Sequence, residues 1–137
     1  MPDSFLHDLD PPPSAKLLGW TLLEADPDSG RVKVAFQGRD SFLNPAGFIQ
    51  GGMLSAMLDD TISSTVAART GGKLFSTTID MTVSFVAPAR PGRLIGEGRI
   101  VHMGKSIAFL EGELRDDDGR LLARATASAR LVTGVFA

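Results

Sequence analysis

The chain contains no cysteine. That absence excludes disulfides, thiolate nucleophiles, cysteine zinc sites and iron–sulfur clusters, and it fits a reducing compartment. Long apolar runs are also missing: none approaches the ~18 residues of a membrane-crossing helix, so no such helix is expected. The opening stretch, MPDSFLHDLDPPPSA, has no basic segment followed by an apolar one and is not expected to act as a secretory signal. By elimination the expected compartment is the cytoplasm. Charge of one sign is scarce: 14 Lys and Arg against 16 Asp and Glu leave a net charge of −2. General nucleic-acid binding needs clustered cations, so neither nucleic acid nor a membrane is expected as a partner. The two histidines, His7 and His102, lie far apart in sequence. They are expected to form neither a metal site nor a Ser-His-Asp triad.

What is present reads as one folded domain. Hydrophobic residues at 43% and charged residues at 22% argue against disorder in a chain of 137 residues. Residues 1–13 end in Pro11-Pro12-Pro13 and are expected to be an N-terminal arm. The domain proper is expected over 14–137, with Ser14 capping a short turn through Leu18. Two alternating runs, Gly19 to Glu24 and Arg31 to Phe36, flank the turn-forming Asp26 to Gly30 and predict a β-hairpin. A loop rich in Gly, Asn and Pro follows from Arg39 to Gly52. Then residues 53–70 run without Gly or Pro up to Gly71-Gly72, which predicts a long helix with a glycine stop. Four strands are expected after it: Leu74 to Val86, Gly92 to His102, Ser106 to Arg115 and Leu121 to Thr133.

The helix is apolar around more than half of its circumference, and its other positions are mostly small. Such a helix should be enclosed by protein. One side would face the sheet, and a second subunit is the simplest cover for the other. Against that background two adjacent carboxylates, Asp59 and Asp60, stand in mid-helix, too far from its start to be N-caps. Each either faces solvent, pairs with an arginine such as Arg69, or has a chemical role. The helix opens on Gly51-Gly52. The backbone N–H groups unpaired there could polarise a carbonyl brought close to the glycine. A plain glycine turn is the simpler reading of that pair taken alone.

The pattern Asn44-x-x-Gly47-x-x-Gln50-Gly51-Gly52, then Asp59, resembles the hotdog-fold thioesterases of the phenylacetate-degradation (PaaI-like) family. Those proteins carry Asn-x-x-Gly-x-x-His-Gly-Gly and a helix-borne Asp or Glu at the same spacing. Ser84-Phe85-Val86-Ala87-Pro88-Ala89-Arg90, Gly104-Lys105-Ser106 and Asp118-Gly119-Arg120 extend the likeness, which runs from about Leu18 to Val132. The resemblance implies an α+β hotdog fold, a curved antiparallel sheet of five to six strands wrapped around one long central helix. It implies hydrolysis of acyl-coenzyme A thioesters to free acid and coenzyme A by a homodimer, with two dimers forming a homotetramer, and no cofactor beyond the coenzyme A of the substrate.

The same resemblance assigns roles. Asn44, Gln50 and Gly51 of one subunit would face Asp59 and Thr78 of its neighbour. Gly51 N–H would polarise the thioester carbonyl, Asn44 would hold water or the carboxylate, and Thr78 would orient water. Asp59 would act as general base or nucleophile. Gln50 stands where many members have His, so the carbonyl loses a titrating neighbour but keeps an amide donor. Gly52, Arg90, Arg93, Lys105 and Ser106 are the candidates for binding coenzyme A, the charged ones at its phosphates. Two other readings compete. A hydratase would pair a His with the carboxylate, and no His lies near Asp59 in sequence. A non-catalytic acyl-CoA sensor would keep the pocket without needing Asp59.

Overall fold

A computed structural model describes residues 4–136. Two short turns of helix come first, a 3-10 turn at Phe5–His7 and α1 at Pro13–Leu18. Then follow β1 (Thr21–Ala25), β2 (Val32–Gly38), α2 (Gly51–Thr70), β3 (Leu74–Phe85), β4 (Gly92–Met103), β5 (Ile107–Asp116) and β6 (Leu121–Thr133). The six strands form one antiparallel sheet in the order β1-β2-β4-β5-β6-β3. The sheet curves around α2 in the hotdog arrangement, as the motifs implied. No helix among the described residues is long and apolar enough to cross a membrane.

The contact between helix and sheet explains why these residues fold this way. Met57, Leu58, Ile62 and Val66 are fully buried and meet Phe36, Leu94, Leu110 and Leu114 from the strands. The helix settles closely because β4 has glycines beneath it. A Cβ at Gly96 would collide with the Thr61 side chain, and one at Gly98 would lie 3.0 Å from the Thr61 carbonyl oxygen. Thr61 and Thr65, buried under the sheet, turn their hydroxyls back to the carbonyls of Met57 and Ile62 (2.8 and 2.6 Å), so both hydroxyl donors are paired. The helix stops as expected. Gly71 adopts φ 61, the left-handed conformation glycine tolerates, and its N–H bonds to the Ala67 carbonyl.

The N-terminal segment differs from the expected arm. Leu6 is buried against Ala67 and Ala68, and Phe5 and Leu9 pack around it. The chain therefore covers the C-terminal half of α2 itself, a face for which a second subunit was the expected cover. The proline run also serves as a helix start: Pro13 occupies the first position of α1, where its missing N–H costs nothing, and Pro12, not Ser14, is the N-cap. The N-terminal half of α2 stays open, with Gly52 and Ala56 exposed and Ser55 and Asp59 half-buried.

Candidate functional site

The loop before α2 is held by its own side chains. Asn44 Oδ1 accepts the N–H groups of Ala46 (3.0 Å) and Phe48 (3.1 Å). This engages the carbonyl end of its amide and leaves the Nδ2 hydrogens as donors. Gln50 is the N-cap of α2, its Oε1 accepting the N–H of Met53 at 3.2 Å. Its NH2 end, too, remains a donor. A Cβ at Gly52 would lie 2.7 Å from Gln50 Oε1, so the capping side chain would have to shift to admit one. Gly51 lies under Phe85 of β3, whose ring would sit 3.2 Å from an added Cβ. Asn44, Phe48, Gly51, Leu54 and Phe85 line an open cleft of about 340 Å³ at the helix N-terminus. Phe85 is a residue of this cleft beyond those the motif names. Its signal in the sequence is an aromatic residue at a strand end, three residues before Pro88.

Asp59 stands two turns further along. Thr78 on β3 donates its hydroxyl to Asp59 Oδ1 at 2.6 Å. Both side chains are half-buried. The eight residue steps from Gly51 to Asp59 amount to about 12 Å of helix. One chain thus carries two separate groupings: a cleft with backbone and amide donors, and a carboxylate held by a threonine.

Asp60 departs from both simple expectations. It neither faces open solvent nor pairs with Arg69, which is exposed. Its Oδ2 is buried without a hydrogen-bond partner. Burial, helped by repulsion from Asp59, raises its pKa from 3.8 to about 6. This environment is not visible in the sequence, because it depends on the N-terminal segment packing beside Asp60 and not standing off as an arm.

The basic candidates are not brought together within one chain. The Arg90 guanidinium lies 5.6 Å above the Phe48 ring, beside the Gly51 cleft. Arg93 sits at the start of β4 and pairs with Asp117 at 3.7 Å, both groups largely exposed. Lys105 and Ser106 are exposed on the β4–β5 turn. Ile107, next to that turn, shares Arg130 as a register partner with Thr77, so the turn lies at the Thr78 end of the sheet. Phe85 marks the other end, seven residues and about 23 Å along β3. The Asp59–Thr78 pair therefore has Lys105 and Ser106 at its end of the sheet, and the Gly51 cleft has Arg90.

This architecture, a six-stranded antiparallel sheet curled on one central helix, defines a hotdog-fold protein. The chain belongs to the thioesterase superfamily, whose defining pattern matches residues 46–123, from the glycine loop to the start of β6. By class it is a thioester hydrolase. A phenylacetic acid degradation-related protein of Ralstonia eutropha is 36% identical, the match covering 93% of this chain and 99% of that one, with a TM-score of 0.82. Human acyl-coenzyme A thioesterase 13 is 27% identical over 113 residues, 81% of this chain and 79% of the human protein. The Escherichia coli PaaI protein shares the fold, with a TM-score of 0.79 at 21% identity. The family read from the motifs is thereby borne out.

Proposed function

We propose that the protein hydrolyses acyl-coenzyme A thioesters at sites shared between two copies of the chain. The observation that carries this reading is the Asp59–Thr78 pair, standing two turns from a donor-lined cleft that it does not reach within its own chain. A twofold axis passing near Ser55, midway between Gly51 and Asp59, would set each residue against the other in the opposite copy. The open stripe of Gly52, Ser55 and Ala56 has side chains small enough for two helices to approach closely there. Strand β3 lies at the sheet edge, where its counterpart in the second copy can pair with it. The human relative's name, acyl-coenzyme A thioesterase 13, supports coenzyme A as the leaving group.

In this reading the thioester carbonyl oxygen lies against the Gly51 N–H, with the Gln50 amide as a second donor. Asp59, oriented by Thr78, takes a proton from water while the water oxygen adds to the carbonyl carbon. The negative charge that develops on the carbonyl oxygen is met by the helix N-terminus. Collapse of the tetrahedral intermediate breaks the carbon–sulfur bond and expels the coenzyme A thiolate, which needs little protonation to leave. Direct attack by Asp59 is the other course. It forms a mixed anhydride that water then opens to the same acid. The Asn44 Nδ2 hydrogens, the donor end left by the loop, hold the attacking carboxylate. Arg90 of one copy and Lys105 with Ser106 of the other would meet the phosphates of coenzyme A, with Arg93 further out beside Asp117.

A mixing experiment tests the shared site. Asp59→Asn and Asn44→Asp each remove one half-site, and each homo-oligomer is expected to lose roughly 100-fold or more in kcat. Unfolded and refolded together in equal amounts, the two chains give mixed dimers with one intact site each, and about a quarter of wild-type activity should return. No recovery would refute the sharing. Full activity in Asp59→Asn would overturn the catalytic role of Asp59, and wild type that binds acyl-CoA without hydrolysing it would favour the binding or sensing protein.

A further inference from the structure

The edge strand carries large apolar side chains that its own chain leaves uncovered. Ile79 on β3, Phe85 at its end and Val86 just after it are all more than half exposed. Phe85 is the one that bears on the chemistry. It shares the helix-facing side of β3 with Met81 and Val83, since the three pair with Ala123, Ala127 and Ala125 of β6, all buried. Its ring lies over Gly51, where an added Cβ would be 3.2 Å away. An aromatic ring half in water beside a backbone donor is a poor arrangement unless something closes over it.

Two contacts within one chain fix a third between two copies. Phe85 lies against Gly51, and Thr78 holds Asp59 by its hydroxyl. A twofold axis that sets Gly51 against Asp59 of a second copy therefore brings Phe85 to the Thr78 of that copy. The register of β3 agrees. When two antiparallel β3 strands meet with Thr82 on the axis, Met81 faces Val83 and Asp80 faces Ser84. Inward residues then pair with inward ones and outward with outward. Counting alone would next put Ile79 opposite Phe85. The strand is irregular between Thr78 and Asp80, so Ile79 drops out of the alternation and Thr78, paired with buried Ala129, takes the inward place.

We propose that Phe85 is a positioning residue acting across this seam: its ring covers the Thr78–Asp59 hydrogen bond of the second copy. The inference rests on the thioesterase reading and adds a residue to its shared site. In one chain both partners of that bond are half-buried, and water reaches them. Under the ring, bulk water no longer competes for the hydroxyl or the carboxylate. The bond strengthens in the drier surroundings, and the carboxylate stays aimed at the one water that attacks. An apolar side chain of similar size can supply this cover, and a methyl group cannot.

Steady-state kinetics gives the first test. Phe85→Ala should lower kcat roughly tenfold with KM changed less, and Phe85→Leu should recover most of it. The second test places the change on one chain. In the mixed dimer of Asp59→Asn and Asn44→Asp, the working site takes Phe85 from the first chain and Thr78 from the second. Phe85→Ala carried by the Asp59→Asn chain should lower the recovered activity roughly tenfold, and carried by the Asn44→Asp chain far less. Equal losses from both placements would reduce Phe85 to packing and overturn the proposal, as would wild-type kcat in Phe85→Ala. The register has a readout that needs no hydrolysis. The chain has no cysteine, so mild oxidation of Thr82→Cys should yield a covalent dimer, the facing Cα atoms being about 4.5–5.5 Å apart. Ser84→Cys should not link, because its two copies lie about 13 Å apart along the strands. No link at Thr82, or an equal one at Ser84, would overturn the contact. If Thr82→Cys links and wild type hydrolyses no ester, the seam stands and the thioesterase reading falls, taking the role of Phe85 with it.

Discussion

Thr78 on the edge strand donates its hydroxyl to Asp59 at mid-helix, 2.6 Å away. This one bond links the two elements that flank the open stripe of α2, and it fixes which way the carboxylate points. In the proposed mechanism Oδ2 of Asp59 is then the oxygen that takes the proton. Removing the hydroxyl without changing the shape should therefore act on turnover. Thr78→Val is expected to lower kcat roughly tenfold with KM little changed, and Thr78→Ser, which keeps the donor, should recover most of it. Steady-state kinetics with one acyl-CoA ester decides. Equal losses in the two variants would show that packing, not the hydroxyl, matters.

Asn44 has two ends with different tasks. Its Oδ1 closes the loop on Ala46 and Phe48, and its Nδ2 hydrogens are the donors that the proposed mechanism uses. Asn44→Asp keeps the acceptor and replaces the donor by a second carboxylate. The thermal midpoint should stay within a few degrees of wild type while kcat falls roughly 100-fold or more, because two like charges would meet at the site. Asn44→Ala should lose activity and also stability, since it orphans two backbone N–H groups. Calorimetry beside kinetics separates the two effects.

Gln50 Oε1 caps α2 through the Met53 N–H. Gln50→Ala should cost roughly 1 kcal/mol of stability, as other N-cap losses do. Gln50→Ser, with a short side chain able to reach the same N–H, should restore the stability but not the outward amide donor. Urea denaturation reads the cap, and kcat reads the donor.

The pH dependence of stability carries a signature of Asp60. Its folded-state pKa of about 6 lies above the ordinary 3.8 because of burial first and the neighbouring Asp59 second. The folded protein therefore holds this proton more tightly than the unfolded chain, and stability from this group falls as pH rises from about 4 to 6. Above that range the unpartnered carboxylate costs at most about 3 kcal/mol. Asp60→Asn should match wild type near pH 4, gain on it up to about pH 6, and hold a constant lead beyond. Melting curves of both proteins across that range check the sign. A lead that is the same at all pH values would place Asp60 in water.

The seat of the helix on the sheet is testable at Gly96, where a Cβ would strike Thr61 and approach the Phe36 ring to 3.2 Å. Gly96→Ala should destabilise by roughly 1–3 kcal/mol through overpacking. Adding Thr61→Ala should return part of that loss, and a double-mutant cycle in urea measures the coupling. Strict additivity would mean that the two residues do not touch.

The sequence by itself determined the order of elements. Alternation in Val32, Val34 and Phe36, the break-free run up to Gly71 and the tight turn at Asp116 to Gly119 are local signals, and local backbone preferences answer to them. The same holds for the motif from Asn44 to Asp59, whose spacing needs only one loop and the start of one helix. What the sequence could not decide lay in contacts distant along the chain. That Leu6 returns to cover Ala67, that Phe85 lies over Gly51, and that Thr78 rather than a residue beside it meets Asp59 all depend on how β3 packs across α2 and where the N-terminus comes to rest. Asp59 and Asp60 show the difference most clearly. They are neighbours of one chemical type, and about 100° of helical rotation sends one to a threonine at an open stripe and the other beside the N-terminal segment. Composition and periodicity treat the two carboxylates alike, and only the surrounding strands and the N-terminal segment give them different chemistry.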